Sequence, residues 1–115
     1  MADSKYNGWT NYETWVVNLW MGNEEGSYLT GQASARRAWQ NATTTTIFTF
    51  TRKENAVLAL ANEMHAEYES AMHDLLESAN ALSSIWADLL GAALSEVNWH
   101  EIAGHMIEDV SQESS

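Results

Sequence analysis

The sequence predicts an all-α fold, a compact bundle of about five helices. Apolar residues recur at helical spacing in five segments, residues typical of N-caps precede several of them, and no proline occurs anywhere to interrupt a helix. With 115 residues, 45% of them hydrophobic, and six tryptophans, the chain can bury one core. We therefore expect a single helical domain over residues 1–115, frayed at 1–8 and 111–115.

The first helix is predicted to begin at Thr10-Asn11-Tyr12-Glu13, which matches the capping box. Gly22-Asn23 supplies the stop. A second helix is predicted over about 27–40 despite Gly26 and Gly31. The apolar face expected to pack in the core of the first helix consists of Tyr12, Trp15, Val16, Leu19 and Trp20.

The Thr-rich segment 43–51 is β-branched and aromatic, which is compatible with a short strand. A lone strand finds no partner elsewhere in the sequence. An extended segment that packs Ile47, Phe48 and Phe50 onto the helices is therefore favoured.

Three further helices are predicted after this segment. A capping box at Thr51-Arg52-Lys53-Glu54 opens the longest one, which continues to about Glu77. The strongly apolar stretch 85–94 predicts a short helix, expected to be the most buried of all. Asn98-Trp99-His100-Glu101 resembles a capping box and opens the last helix.

Charge is divided unevenly along the chain. Residues 1–53 hold all five Lys and Arg residues and four acids, whereas residues 54–115 hold twelve acids and no Lys or Arg. The net charge of −11 and a pI near 4.5 argue against direct binding to nucleic acid or to an anionic membrane, which both need a basic surface. The absence of cysteine fits a reducing cytosol, and no apolar leader or membrane-spanning run is found, so a cytoplasmic protein is expected.

The acids of the longest predicted helix are ordered. Glu63, Glu67, Asp74 and Glu77 are spaced 4, 7 and 3 residues apart, which places them on one stripe. The stripe spans about 21 Å, roughly 5 Å per charge against about 3.4 Å per phosphate of a DNA strand. We expect these acids, with Glu101, Glu108 and Asp109, to face a basic partner surface. A solvated helix face, or docking of Arg36-Arg37 and Arg52-Lys53 on the acidic half, is the alternative.

No sequence motif indicates an enzyme. His65, Glu69 and His73 follow at i, i+4 and i+8 and are weak candidates for a metal site, but no H-E-x-x-H spacing occurs. No nucleophile turn of the type G-x-S-x-G and no phosphate-binding loop occurs either. The sequence therefore predicts a binding protein without a cofactor.

Two segments carry a resemblance to a known family. The sequence N-G-W-T-N-Y-E-T-W at 7–15 and the sequence L-S-E-V-N-W-H-E-I-A at 94–103 resemble a family of small uncharacterised proteins of bacteriophages, plasmids and bacteria. The resemblance implies a mobile-element context but no catalytic or binding residue. Small acidic proteins of that context resemble inhibitors of host defence, of the anti-CRISPR or anti-restriction kind, and some imitate nucleic-acid charge.

Three functions follow as hypotheses. The first is an acidic inhibitor that occupies a basic groove of a host protein, such as a nucleic-acid-binding defence complex. The second is an accessory or structural phage protein that forms homo-oligomers, such as a homodimer, through exposed aromatic residues. The third is a small-molecule or metal-binding domain.

Overall fold

A computed structural model of the chain describes residues 6–43 and 50–113, and the described residues form five helices and no strand. The all-α prediction is confirmed. Ile47 and Phe48 lie outside the described residues, and Phe50 is 45% exposed. The helices are α1 (Tyr12–Asn23), α2 (Glu25–Asn41), α3 (Arg52–Ser78), α4 (Ile85–Glu96) and α5 (Trp99–Glu113).

The core is built around α5, which packs against α2 and α3. Ile102 and Ile107 of α5 and Leu60 of α3 are completely buried, as the periodicity of both helices predicts. Trp99 is 7% exposed and contacts the rings of His65 and Tyr68, with centroid distances of 5.4 and 5.3 Å. The start of α5 is thereby anchored on α3.

The caps that the sequence predicts are partly realised. At α3 the capping box is confirmed, because Glu54 N donates to Thr51 Oγ1 at 3.0 Å and Thr51 N donates to Glu54 Oε1 at 2.8 Å. The capping box predicted at Thr10 is wrong. The N-cap of α1 is Asn11, whose Oδ1 accepts from Thr14 N at 2.9 Å. Asn and Thr are both good N-caps, so the pattern alone left the position uncertain by one residue.

The C-terminus of α3 forms a Schellman motif. Asn80 adopts a left-handed conformation with φ 56°, Asn80 N donates to Glu77 O at 3.0 Å, and Ala81 N donates to Leu76 O at 2.7 Å. These bonds satisfy two of the last carbonyls of α3 and turn the chain towards α4.

Two predictions of buried faces are wrong. Trp20 is 67% exposed, and α1 buries Thr14 and Met21 instead. The apolar helix α4, expected to be the most buried, has no buried residue. The physical reason is common to both, because α1 and α4 are apolar on more than one side and packing covers only part of that surface. Among the described helices α4 contacts α3 and α1, and Leu94 packs on the core while Ile85, Trp86 and Leu89 stay exposed.

Candidate binding surfaces

We call the two segments that carry the family resemblance, 7–15 and 94–103, the signature segments. They meet in one hydrogen-bond network between the start of α1 and the α4–α5 junction. Its centre is Thr14, which is completely buried and whose hydroxyl donates to Asn11 Oδ1 at 2.6 Å and accepts from Asn98 N at 2.8 Å. Three more bonds join the segments: Asn11 Nδ2 to Glu96 O at 2.7 Å, Thr10 N to Glu101 Oε1 at 3.1 Å, and Asn98 Nδ2 to Thr10 Oγ1 at 3.3 Å. These polar residues connect the start of α1 to the α4–α5 junction, and Glu101 takes part in the connection.

The basic residues of the first half dock on the acidic second half, as one of the sequence alternatives predicts. Arg36 Nε lies 3.1 Å from Glu113 Oε1, and Arg37 Nη2 lies 2.9 Å from Glu63 Oε2. Lys53 forms an ion pair with Glu108. Of the predicted partner-binding acids, Glu63 and Glu108 therefore have internal cationic partners.

Arg52 is also engaged within the chain. Its Nε and Nη2 donate to Trp39 O at 3.1 and 2.9 Å, and its Cζ lies 3.8 Å from the centre of a Trp39 ring. Each Arg or Lys side chain of the described residues thus has an internal partner.

Two of the predicted binding acids, Glu67 on the stripe and Glu108 on α5, have pKa values shifted by their surroundings. Burial, and next a hydrogen bond with Glu63, raise the pKa of Glu67 above its ordinary value. The Glu67 carboxyl therefore takes up a proton at a higher pH than an ordinary glutamate does. Hydrogen bonds from Lys53 and Gln112 lower the pKa of Glu108. The first half of the predicted stripe is thus partly neutralised.

The second half of the stripe is different. Asp74 and Glu77 are exposed in the last turns of α3, where no basic residue follows. His73 Nδ1 lies 4.0 Å from Asp74 Oδ1. Negative charge at a helix C-terminus is unfavourable, because the free carbonyls already carry partial negative charge. These acids are consequently the part of the stripe most in need of an external cation.

The structure does not assemble the weak metal candidates. His65 Nε2 lies 3.2 Å from Glu69 Oε2 one turn away. Among the described residues, the group of three whose ligand atoms lie within 4.8 Å of one another is His73, Asp74 and Glu77, all exposed. His73 therefore lies with the acids at the end of α3.

An apolar surface that the sequence assigned to the core lies on α4. We call it the α4 surface, and it consists of Ile85 (65% exposed), Trp86 (61%), Leu89 (53%) and Leu90 (39%) of α4, together with Leu82 (43%) in the turn before the helix. Leu75, near the end of α3, is 64% exposed. Asp88, also exposed, lies on the same helix. Several large apolar side chains exposed at helical spacing are typical of a protein–protein interface.

A groove of about 300 Å³ lies among α1, α2 and α5. Its walls include Trp9, Tyr28, His105 and Asp109. Trp9 packs on the His105 ring, with 4.7 Å between centroids. Sequence reasoning missed this groove because its residues lie far apart along the chain; Asp109 was predicted as partner-binding without this setting.

Fold and surfaces together define a small all-helical protein with two candidate contact regions, the α4 surface and the groove. The chain belongs to a family of unknown function, DUF7249, whose model matches residues 2–114. That match spans both signature segments and the stretch between them. Comparisons with curated proteins and with solved structures found no match. None of the described helices has the length and apolar character needed to cross a membrane.

Proposed function

We propose that this chain is a non-enzymatic binding protein that docks through the α4 surface. The observation that carries the proposal is the exposure of Ile85, Trp86 and Leu89 on a helix without any buried residue. Large apolar side chains, and tryptophan above all, contribute most when they become desolvated at the centre of an interface. Keeping them in water is unfavourable, so a partner that covers them would gain that free energy.

Charge indicates the kind of partner. Three exposed acids lie close in sequence to the residues of the α4 surface: Asp74 and Glu77 on α3, and Asp88 on α4. Arg36, Arg37 and Lys53 pair with other acids and Arg52 with the Trp39 carbonyl, so these three acids have no Lys or Arg partner among the described residues. A partner with an apolar patch and a rim of Lys or Arg would complement both features, and its association would be fast and salt-sensitive.

The signature segments add a biological setting to the proposal. In the phage, plasmid and bacterial context that they suggest, the partner is a host protein of the bacterial cytosol. Proteins with exposed Lys and Arg in such hosts include nucleic-acid-binding defence complexes, and occupation of their basic groove would inhibit them. Glu67, Asp74 and Glu77 would supply the negative charge, whereas Glu63 and Glu108 would need to exchange an internal cation for an external one.

A matched pair of substitutions tests the proposal. Leu89 on α4 and Leu29 on α2 are 53% and 54% exposed, so Leu89→Gln and Leu29→Gln remove equally exposed apolar groups. Both variants should keep the free energy of unfolding within about 0.5 kcal/mol of the parent. Immobilised parent and variants are exposed to a bacterial host lysate at low and high salt, and retained proteins are quantified.

The proposal expects a specific set of proteins retained by the parent and by Leu29→Gln, but about tenfold less by Leu89→Gln. Asp74→Asn with Glu77→Gln should weaken the same set, and so should high salt. Equal retention by both leucine variants, or retention that salt does not change, contradicts the proposal.

Self-association is the second candidate, favoured by the exposure of Trp86 on a helix that two copies could pair. An antiparallel pair of α4 helices would bring the acids of both copies together, which opposes the dimer at low salt. Light scattering over a concentration series distinguishes the candidates. A dimer that strengthens with salt and is lost in Leu89→Gln supports self-association, and a monomer at every concentration excludes it.

A further inference from the structure

The groove among α1, α2 and α5 has the size and lining of a small-molecule site. Its volume of about 300 Å³ lies at the lower end of the range for ligand pockets. Trp9 and Tyr28 contribute aromatic rings, and Met21 and Met106 contribute thioethers. Gly31 lies in the same wall, where a Cβ would lie 3.0 Å from Met106 Cε, the flexible end of that side chain.

Asp109 gives the groove its charge. Its carboxylate is exposed, and no Lys or Arg lines the groove. The four Lys and Arg side chains of the described residues are engaged elsewhere: Arg36 with Glu113, Arg37 with Glu63, Lys53 with Glu108 and Arg52 with Trp39. Aromatic walls with one carboxylate favour a cation that carries an apolar envelope, because the ring faces attract positive charge and the methyl groups replace water.

Contacts within the chain already position the aromatic side chains that line the groove. Trp9 N donates to Tyr6 O at 2.9 Å, and the Trp9 ring packs on His105 at 4.7 Å. The Tyr28 hydroxyl accepts from Gln32 Nε2 at 2.8 Å. A preformed site avoids the cost of ordering side chains on binding.

We propose that this groove binds a small organic cation of the alkylammonium class, with Trp9 and Tyr28 against its methyl groups and Asp109 as the countercharge. This site is separate from the α4 surface in its residues, so it stands or falls independently of the proposed binding function. His105, one turn before Asp109 in α5, lines the same groove and has its ring against Trp9.

Choline and its neutral isostere 3,3-dimethylbutan-1-ol provide a direct test. Both are titrated into the full chain at about pH 8, where an ordinary histidine is neutral. Indole N–H resonances are followed by NMR, with the Trp9 signal assigned from its loss in Trp9→Phe. We expect a saturable Trp9 shift with choline and at least about tenfold weaker binding of the alcohol.

Asp109→Asn should weaken choline binding about tenfold while leaving the alcohol unchanged, because it removes charge and keeps shape. Asp88→Asn, an exposed acid on α4, is the matched control and should change neither affinity. The resonance spectrum of each variant reports that it is folded. A choline titration without a saturable Trp9 shift, equal binding of both compounds, or an unchanged affinity in Asp109→Asn overturns the proposal.

Discussion

At the scale of single residues, Thr14 shows how a polar side chain can stabilise a core. It is completely buried, and its hydroxyl bridges Asn11 Oδ1 and Asn98 N. Valine has nearly the same shape but neither donates nor accepts. Thr14→Val should therefore lower the free energy of unfolding by about 1–3 kcal/mol, because the Asn98 amide loses its acceptor in a part-buried position. Urea unfolding followed by tryptophan fluorescence measures the change.

The same substitution at an exposed threonine isolates this effect. Thr30 lies exposed on α2, so Thr30→Val should change the free energy of unfolding by less than about 0.5 kcal/mol. Thr14→Ser keeps the hydroxyl and should retain more stability than Thr14→Val. If Thr14→Val were as stable as the parent, the hydrogen-bond network between the signature segments would not stabilise the fold.

At the scale of elements, helices were easier to predict than their orientation. Residues such as Thr51 and Glu54 specify a helix start through bonds between near neighbours, which a sequence displays directly. Which side of a helix is buried depends on contacts that are distant in sequence. For α5 one apolar face exists and Ile102 lies on it, but α1 offers both Trp20 and Met21, and packing against α2 selects Met21.

The end of α3 provides a test at this scale. Asn80 has φ 56°, a conformation that costs an ordinary L residue about 1–2 kcal/mol and that asparagine and glycine tolerate better. Asn80→Ala should lower the free energy of unfolding by about 1 kcal/mol. Asn80→Gly should maintain or raise it, since glycine is the preferred residue at this position of a Schellman motif. Thermal and urea unfolding of both variants measure the two changes.

An asparagine inside α3 serves as the control for Asn80. Asn62 is exposed and helical, and alanine has the higher helix propensity, so Asn62→Ala should raise the free energy of unfolding by a few tenths of a kcal/mol. The same chemical change thus has opposite signs at the two positions. A stabilising Asn80→Ala would show that the left-handed turn is not required.

At the scale of the whole molecule, the division of charge along the chain becomes a set of contacts between its halves. The sequence shows that residues 1–53 hold the cations, and the fold brings Arg37 to Glu63 and Arg36 to Glu113. Which acids are paired was not predictable, because it depends on how α2 lies against α3 and α5. For the same reason the groove around Asp109 was not predictable, since Trp9 and Tyr28 reach it from two other segments.

This division predicts how stability responds to salt. The chain carries −11, and in the part of the chain that the structure describes only Glu63, Glu108 and Glu113 form ion pairs with Lys or Arg, so repulsion among the other acids opposes folding. Raising NaCl from about 0.01 to 0.15 M shortens the Debye length from about 30 to 8 Å. Screening also weakens the surface ion pairs, but exposed ion pairs contribute little to stability. We therefore expect the free energy of unfolding to rise with salt, as measured by urea unfolding.

Replacing Arg36, Arg37 and Lys53 by Gln changes the net charge from −11 to −14 and removes the pairs that salt would weaken, so the rise should be steeper in this variant. A free energy that falls with salt in the parent would mean that the three ion pairs outweigh the repulsion of the remaining acids.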